Sequence, residues 1–148
     1  MSKDLFTADD QTSIVEAIKM AEKQTSGEIR VHIEPNCRLD PIDRALEMFT
    51  QLQMHTTALK NSVLIYVATE DKKFAIIGDE GIHEKVKDAF WNEEKELMFT
   101  HFSSGNFTGG LTQAILKVGE KLKLHFPYLE SDTDELSNDI SFGEKTDA

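Results

Sequence analysis

The sequence predicts an α/β fold in which a small mixed sheet lies between helices, in a three-layer α/β/α sandwich. Amphipathic helical segments come before, between and after three segments with strand character. One of those strands is continuously apolar, which is typical of a strand covered on both faces. The chain has 148 residues, the usual size of a single domain with one hydrophobic core.

A capping box predicts where the first helix begins. Thr7 is a candidate N-cap, and Asp10 follows three residues later, ahead of apolar positions that mark one helical face to about Lys23. Strict alternation of apolar and polar residues then predicts a strand over residues 28–34. We expect its polar face to be solvated or only partly covered, which would offer Arg30 and the nearby His32 to a partner.

The middle of the chain predicts a helix followed by a hairpin. Pro41 occupies the favoured first position of a helix that runs to about Gln53. The apolar run at residues 62–68 predicts the central strand of the sheet. The polar turn after it is too short for a crossover, so residues 74–77 are predicted to return antiparallel to that strand.

The last part of the domain is predicted to be helical. Amphipathic segments predict helices over residues 82–90, 92–102 and 107–124. From residue 130 onward the chain is acidic and has few apolar residues, which cannot offset the cost of ordering it. We therefore predict one domain over residues 1–129 and a disordered acidic tail over residues 130–148.

Charge and composition argue against several classes of partner. The formal net charge is −11, of which the predicted tail carries −6 and the body −5. Like charge disfavours approach to nucleic acid and to anionic membrane surfaces. The sequence contains neither a long apolar run nor a signal-peptide pattern, and Cys37 is its only cysteine. We expect a cytoplasmic protein that binds no nucleic acid and no membrane.

The predicted topology places several carboxylates at one edge of the sheet. If the third strand runs against the other two, its end lies beside the beginning of the first, so Glu28 neighbours the Asp79-Glu80 turn. Asp88 lies on the helix that follows. Carboxylates and backbone carbonyls are the ligands of Ca²⁺ and Mg²⁺. The alternative is that Asp79 and Glu80 cap that helix.

Other chemistry has less support in the sequence. The five histidines are scattered, and no pair has the i, i+4 spacing of a helical zinc site. Cys37 lies in a loop with no histidine or acid at a telling distance, and no Gly-x-Ser-x-Gly motif occurs. The aromatic residues between positions 90 and 107 recur at near-helical intervals and are interpreted as core.

The order and spacing of several motifs resemble the TPM domain family, which occurs in thylakoid photosystem II repair proteins and in many bacterial proteins. The His-Phe-Pro sequence at positions 125–127 is similar to the end of the family's short soluble bacterial branch. The other matching segments are Ser26-Gly27-Glu28-Ile29, the apolar strand 63–67, the glycine turn 76–82, Lys87-Asp88-Ala89 and Phe107-x-x-Gly110-Leu111.

The resemblance implies an α/β/α sandwich that binds a divalent metal at the edge bearing the glycine turn. For plant members of the family it also implies acid phosphatase activity. Carried over residue by residue, it points to Glu28, Asp79, Glu80 and Asp88 as ligands of Ca²⁺ or Mg²⁺. His83 stands near the position where membrane-associated members have the glutamate of a Gly-x-Gly-Leu-Glu turn.

Two functions follow from this resemblance. In the first, the ion orders the glycine turn and the sheet edge binds a protein partner, so that the domain is a metal-stabilised interaction module. In the alternative, the domain is a metal-dependent phosphatase in which Asp88 orients a metal-bound water toward a phosphate ester. The sequence has no cluster of arginine or lysine to hold a phosphate, which favours the interaction module. No catalytic residue is assigned.

Overall fold

The computed structural model describes residues 6–128 and 139–143, which form four α-helices and four strands. A short 3-10 turn at Met54–Thr56 precedes the second strand. The helices are α1 (Ala8–Glu22), α2 (Pro41–Gln51), α3 (Glu80–Ser103) and α4 (Phe107–His125). The strands are β1 (Glu28–Glu34), β2 (Ser62–Ala68), β3 (Lys73–Gly78) and β4 (Ser141–Phe142).

The sheet is mixed, with strand order β3-β2-β1-β4. β1 pairs parallel with β2 and with β4, whereas β3 returns antiparallel to β2. The hairpin and the parallel crossover predicted from the sequence are both confirmed. Every residue of β2 is buried, which agrees with its continuous apolar run.

Helices cover both faces of the sheet, which confirms the predicted α/β/α sandwich. Ile29, Val31 and Ile33 of β1 belong to a core shared with α1, α3 and α4. Leu64 and Tyr66 of β2 belong to a second core, which α2 and the 3-10 turn close. Among the described residues, no helix is both long and apolar enough to cross a membrane.

The predicted capping box of α1 is present. The Thr7 hydroxyl accepts the backbone N–H of Asp10, and the Asp10 carboxylate accepts the N–H of Thr7, each at 3.0 Å. These two bonds satisfy amide groups that have no partner within the helix, and a cap of this kind stabilises a helix by about 1 kcal/mol.

Helix α3 departs from the prediction of two helices that meet near residue 91. It continues through that position and is instead kinked at Lys87, whose φ is 61°. In a straight helix Ile82 and Trp91 would lie on opposite sides, because nine residues turn the helix by about 900°. The kink changes the helical phase, and both side chains are buried.

The polar face of β1 is not an open surface, and this corrects the sequence-based expectation. His32 is buried, as are Glu28 and Glu34 at the two ends of the strand, and Arg30 is half-buried. Burial lowers the pKa of Arg30, an effect that Asp139 partly offsets. Polar contacts with α2 and β4 explain why the alternation of charged residues did not mark a solvated face. His32 is therefore not an exposed contact for a partner.

Part of the predicted tail has ordered structure, which the sequence did not indicate. Ser141 and Phe142 lie opposite His32 and Ile33 in the sheet, and Ile140 packs with Phe142 against the main core. These two apolar side chains give the acidic segment enough burial to dock on the edge of β1. The remainder of the predicted tail lies outside the described residues, so the domain boundary at residue 129 stays a prediction.

Gly143 allows β4 to lie close to β1, and we expect Gly143→Val to detach it. The Gly143 N–H donates to the Ile33 carbonyl at 2.7 Å, and an added Cβ would lie 2.6 Å from Glu34 Oε1. The variant should lose amide-exchange protection at residues 141–143 and about 1 kcal/mol of stability. Ser141→Ala is the control, because it loses the hydroxyl contact with His32 Nδ1 but keeps the backbone pairing and should keep the exchange protection. Unchanged protection in Gly143→Val would contradict the close packing.

Candidate functional site

Glu28 and Asp79 lie at the same edge of the sheet, as the sequence predicts. Glu28 begins β1 opposite Ser62, and the N–H of Asp79 donates to the Ser62 carbonyl at 2.9 Å. Two strand spacings separate their backbones, a distance of about 10 Å. By strand alternation both residues belong to the sheet face that α2 covers. Glu28 is only 3% exposed, and Asp79 is half-buried.

Asp79 caps helix α3 and still has a carboxylate oxygen to spare. Its Oδ1 accepts the N–H of Glu80 at 2.8 Å, so the predicted helix cap is present. Its Oδ2 is buried and accepts no hydrogen bond from the residues that the structure describes. The hydroxyl of Thr57, which comes before β2, is also buried and makes no hydrogen bond with the described residues. Buried polar atoms in this state call for a ligand, an ion or a water.

Backbone carbonyls of the loop before β2 lie against the beginning of α3. A Cβ added to Gly81 would lie 2.4 Å from the carbonyl oxygen of Leu59 and 2.5 Å from that of Lys60. The same Lys60 carbonyl accepts the N–H of Ile82 at 3.3 Å. Gly81 is therefore required by this close approach, which brings two neutral oxygen atoms of the loop to the residue two positions after Asp79.

The two remaining predicted ligands are farther out. Glu80 is the exposed first residue of α3, and the side chain of Asp88 is 90% exposed just after the kink. Asp88 Oδ1 lies 4.0 Å from His83 Nε2. Within residues 6–128 and 139–143, no three His, Cys, Asp or Glu side chains are arranged to hold a metal. The structure therefore places Glu28 and Asp79 at one edge of the sheet. A metal site with all four carboxylates as ligands stays a prediction.

A second polar cluster, centred on Glu34 at the end of β1, was missed by sequence reasoning. Arg44 of α2 donates to the buried Glu34 carboxylate through Nε and Nη2, at 2.8 and 2.9 Å. His32 Nε2 contacts the same carboxylate at 2.9 Å, and the Tyr66 hydroxyl donates to it. Ser141 of β4 closes the cluster at 2.9 Å from His32 Nδ1.

The protonation states in this Glu34 cluster follow from its hydrogen bonds. Burial alone would raise the pKa of Glu34, but the bonds from Arg44, His32 and Tyr66 outweigh it and lower the pKa to about 2. The bond to Glu34 raises the pKa of the Arg44 guanidinium. Burial, followed by the Cys37 and Glu34 hydrogen bonds, raises the pKa of the Tyr66 hydroxyl.

The Glu34 cluster is built to stabilise the fold. An ionised carboxylate has about four acceptor positions, and four donors already occupy those of Glu34. Cys37 beside it is buried, and its thiol donates to the Leu39 carbonyl at 3.1 Å. Buried thiols of this kind are inert. His32 lies two residues away on β1, but Arg44 and Tyr66 lie 10 and 32 residues away on other elements, so no spacing in the sequence points to them.

Comparisons with known proteins agree with this architecture. The TPM domain family model matches residues 2–121. The NMR structure of the BA42 protein from the psychrophilic bacterium Bizionia argentinensis is similar, with 48% sequence identity and a TM-score of 0.87. That match covers 93% of this chain and 95% of the BA42 chain. The search of curated proteins found no match.

A more distant structure shows the same fold. The N-terminal domain of the cg2496 protein from Corynebacterium glutamicum has a TM-score of 0.64 at 18% identity, covering 79% of this chain and 74% of that one. At this identity the likeness concerns the fold alone. The family model, by contrast, matches most of the chain, and BA42 matches it at high identity over nearly its whole length. The chain belongs to the TPM domain family.

Proposed function

We propose that this TPM domain binds Ca²⁺ or Mg²⁺ at the edge formed by Glu28 and Asp79, and that the bound ion organises a surface for a protein partner. The buried Oδ2 of Asp79, which accepts no hydrogen bond from the described residues, carries this proposal. A buried carboxylate oxygen without a partner is costly, and a bound cation would remove that cost.

The donor atoms at this edge suit a hard cation. They are all oxygens: the carboxylates of Glu28 and Asp79 and the carbonyls of the loop that contacts the beginning of α3. Ca²⁺ and Mg²⁺ are bound by oxygen ligands of these kinds. The net charge of −11 also raises the local concentration of cations around the protein. In this proposal Glu80, at the exposed beginning of α3, adds a further carboxylate.

The partner surface in this proposal is the exposed first part of α3. It contains Glu80, His83 and Asp88 on either side of the Lys87 kink. A non-glycine residue with the backbone angles of Lys87 costs about 1–3 kcal/mol, and such strain tends to occur at functional sites. An ion that fixes the Asp79 turn would also fix the position of this segment.

The test is an amide NMR titration of the full chain with Ca²⁺ and with Mg²⁺, repeated on Asp79→Asn. Asparagine keeps a side-chain oxygen for the cap of α3 and removes the negative charge, which separates metal binding from helix capping. We expect saturable shifts at residues 27–29, 57–62 and 78–88, with affinity at least about tenfold lower in the variant.

Asp40→Asn is the matched control for this titration. Asp40 caps α2 in the same way, with Oδ1 accepting the N–H of Ile42 at 2.9 Å, and it takes no part in the proposed site. Its substitution should leave the affinity unchanged. If Asp79→Asn binds the ions as tightly as the unmodified chain, Asp79 is a helix cap only. Partner proteins captured equally with calcium and with chelator would overturn the metal-dependent surface.

The same preparations test the phosphatase alternative. Asp88 is exposed beside His83, where water has access to both side chains. If the domain is a phosphatase, metal-dependent hydrolysis of p-nitrophenyl phosphate should disappear in Asp79→Asn. Asp88→Asn should lower kcat while the metal affinity is kept. Hydrolysis that neither substitution changes comes from a contaminant.

A further inference from the structure

A cleft lined by phenylalanine rings opens at the end of the sheet opposite to Glu28 and Asp79. Its volume is about 380 Å³, and it lies where the β2–β3 hairpin meets the end of α3 and the beginning of α4. We call it the phenylalanine cleft. β2 spans seven residues, so the cleft is about 20 Å from the proposed metal edge. The residues that define it are Val67, Lys72, Phe74, Phe99, Phe102 and Phe107.

The aromatic walls of the cleft are held in place by one another. Phe102 meets Phe74 edge to face with ring centroids 5.3 Å apart, and it stacks on Phe107 at 5.0 Å. Phe99 is different, because 63% of it is exposed although it is a large apolar residue. It also lines the shallower groove next to the cleft, where Lys95 stands. A preformed apolar concavity with an exposed aromatic wall is typical of a binding site.

Positive charge is placed at the mouth of this apolar cleft. Lys72 lies in the exposed hairpin turn with φ of 56°, whereas Lys73 donates its ammonium to the Cys37 carbonyl at 3.0 Å. The nearby Asp71 carboxylate is engaged by the Cys37 N–H at 2.7 Å. Helix α4 begins at the cleft, and its first turn contains no acidic residue to offset the partial positive charge of the helix end.

We propose that the phenylalanine cleft binds a medium-chain fatty acid. The acyl chain lies against Phe99 and Phe102, and the carboxylate lies between Lys72 and the first turn of α4. Small-molecule sites have volumes of about 300–1,000 Å³, so a cleft of 380 Å³ suits a medium rather than a long chain. The cleft thus offers apolar rings to the acyl chain and a positive charge to the carboxylate, although the protein as a whole is strongly negative.

The experiment is an NMR titration of the full chain with decanoate below its micelle concentration. We expect saturable shifts at residues 67–74 and 99–107. Decyltrimethylammonium has an alkyl chain of similar length and the opposite charge, so it should bind about fivefold more weakly. Because the protein is acidic, nonspecific adsorption would favour the cationic compound. Tighter binding of decanoate therefore cannot come from nonspecific adsorption.

Three variants locate the ligand in the cleft. Lys72→Asn removes the charge with a residue that tolerates positive φ, and it should weaken decanoate about threefold to fivefold. Lys87→Asn is its matched control, since Lys87 also has positive φ but lies far from the cleft. Ser103→Phe should abolish binding, because Ser103 is an exposed lining residue whose enlargement fills the space. Phe99→Ser should weaken the binding of both decanoate and decyltrimethylammonium.

Several results would overturn the fatty acid site. They are the absence of saturable shifts, equal binding of the cationic compound, or decanoate affinity that Ser103→Phe leaves intact. Asp79→Asn should bind decanoate normally, because the two proposed sites are at opposite ends of β2. Failure of the metal proposal would therefore leave this one standing, and the reverse also holds.

Discussion

Glu34→Gln is expected to lower the free energy of unfolding by about 3–5 kcal/mol, because it leaves the Arg44 guanidinium without its carboxylate. Glu34 is buried and accepts hydrogen bonds from Nε and Nη2 of Arg44 as well as from His32 and Tyr66. A glutamine would present one N–H₂ group toward donors that need an acceptor. Urea unfolding at pH 7, followed by circular dichroism, measures the loss.

Glu47→Gln is the matched control for this substitution. Glu47 also contacts Arg44, at 3.0 Å, but its side chain is 50% exposed. Exposed ion pairs contribute about 0–1 kcal/mol, so the control should change stability little. If the two variants lose the same small amount, the Glu34 cluster does not hold the end of β1 as we infer.

The Glu34 cluster also sets how stability depends on acidity. The pKa of Glu34 is lowered in the folded state to about 2 from an ordinary value of 4.5. The folded protein therefore binds fewer protons than the unfolded chain between these values. The contribution of Glu34 is complete above pH 4.5 and is lost as the pH falls through about 2. Glu34→Gln should lack this part of the acid unfolding profile.

The order of the elements and the shared edge of Glu28 and Asp79 were predictable from the sequence. The hairpin turn after β2 is short, so the return strand had to be antiparallel, and a parallel crossover then places the end of β3 beside the beginning of β1. These are backbone constraints, and they need no knowledge of side-chain partners. The same topology gave the edge on which the metal proposal rests.

The kink in α3 was not predictable by the same reasoning. It occurs at Lys87, and lysine has no tendency to adopt positive φ. Ile82 and Trp91, on either side of the kink, are buried in the same core. Sequence reasoning instead placed a helix boundary near residue 91, because it treated each amphipathic segment separately.

Buried polar residues explain the largest error of sequence reasoning. His32 and Glu34 were predicted to lie on a solvated or partly covered face because they are polar and alternate with apolar residues. Their burial depends on Arg44 and Tyr66, which come from other elements, and on Ser141, which comes from the acidic tail. The sequence of one strand does not indicate which side chains from other elements will pack against it in the folded protein. Among the aromatic residues interpreted as core, Phe90 and Trp91 are buried in the main core and Phe102 and Phe107 pack against it, whereas Phe99 is exposed.

Glu94→Gln is expected to stabilise the protein at alkaline pH. Glu94 of α3 is buried, and its Oε2 accepts no hydrogen bond from the described residues. Burial, together with Glu93 and Glu120, raises the pKa of Glu94 to about 8, although Lys117 of α4 acts in the opposite direction. Near neutral pH this carboxyl group is therefore mainly protonated in the folded state, whereas in the unfolded chain it is ionised.

The sign of the pH dependence follows from this difference. Between an ordinary pKa of 4.5 and about 8, the folded state holds a proton that the unfolded state has released, so stability falls as the pH rises. Above about pH 8 the loss is complete. Glutamine cannot ionise, so Glu94→Gln should flatten this slope. At pH 9 its free energy of unfolding should be about 2 kcal/mol higher than that of the unmodified chain. Near pH 4 the two proteins should be similar.

Urea unfolding at pH 4, 7 and 9 measures this effect, with Glu93→Gln as the control. Glu93 is the exposed neighbour of Glu94, and its substitution removes the same charge without removing a buried group. A similar gain at pH 9 in both variants would mean that net charge governs the effect. A gain confined to Glu94→Gln would show that desolvation of one carboxylate between α3 and α4 limits stability above neutral pH. Only this buried carboxyl group must lose its proton against the cost of burial, whereas Glu93 ionises in solvent.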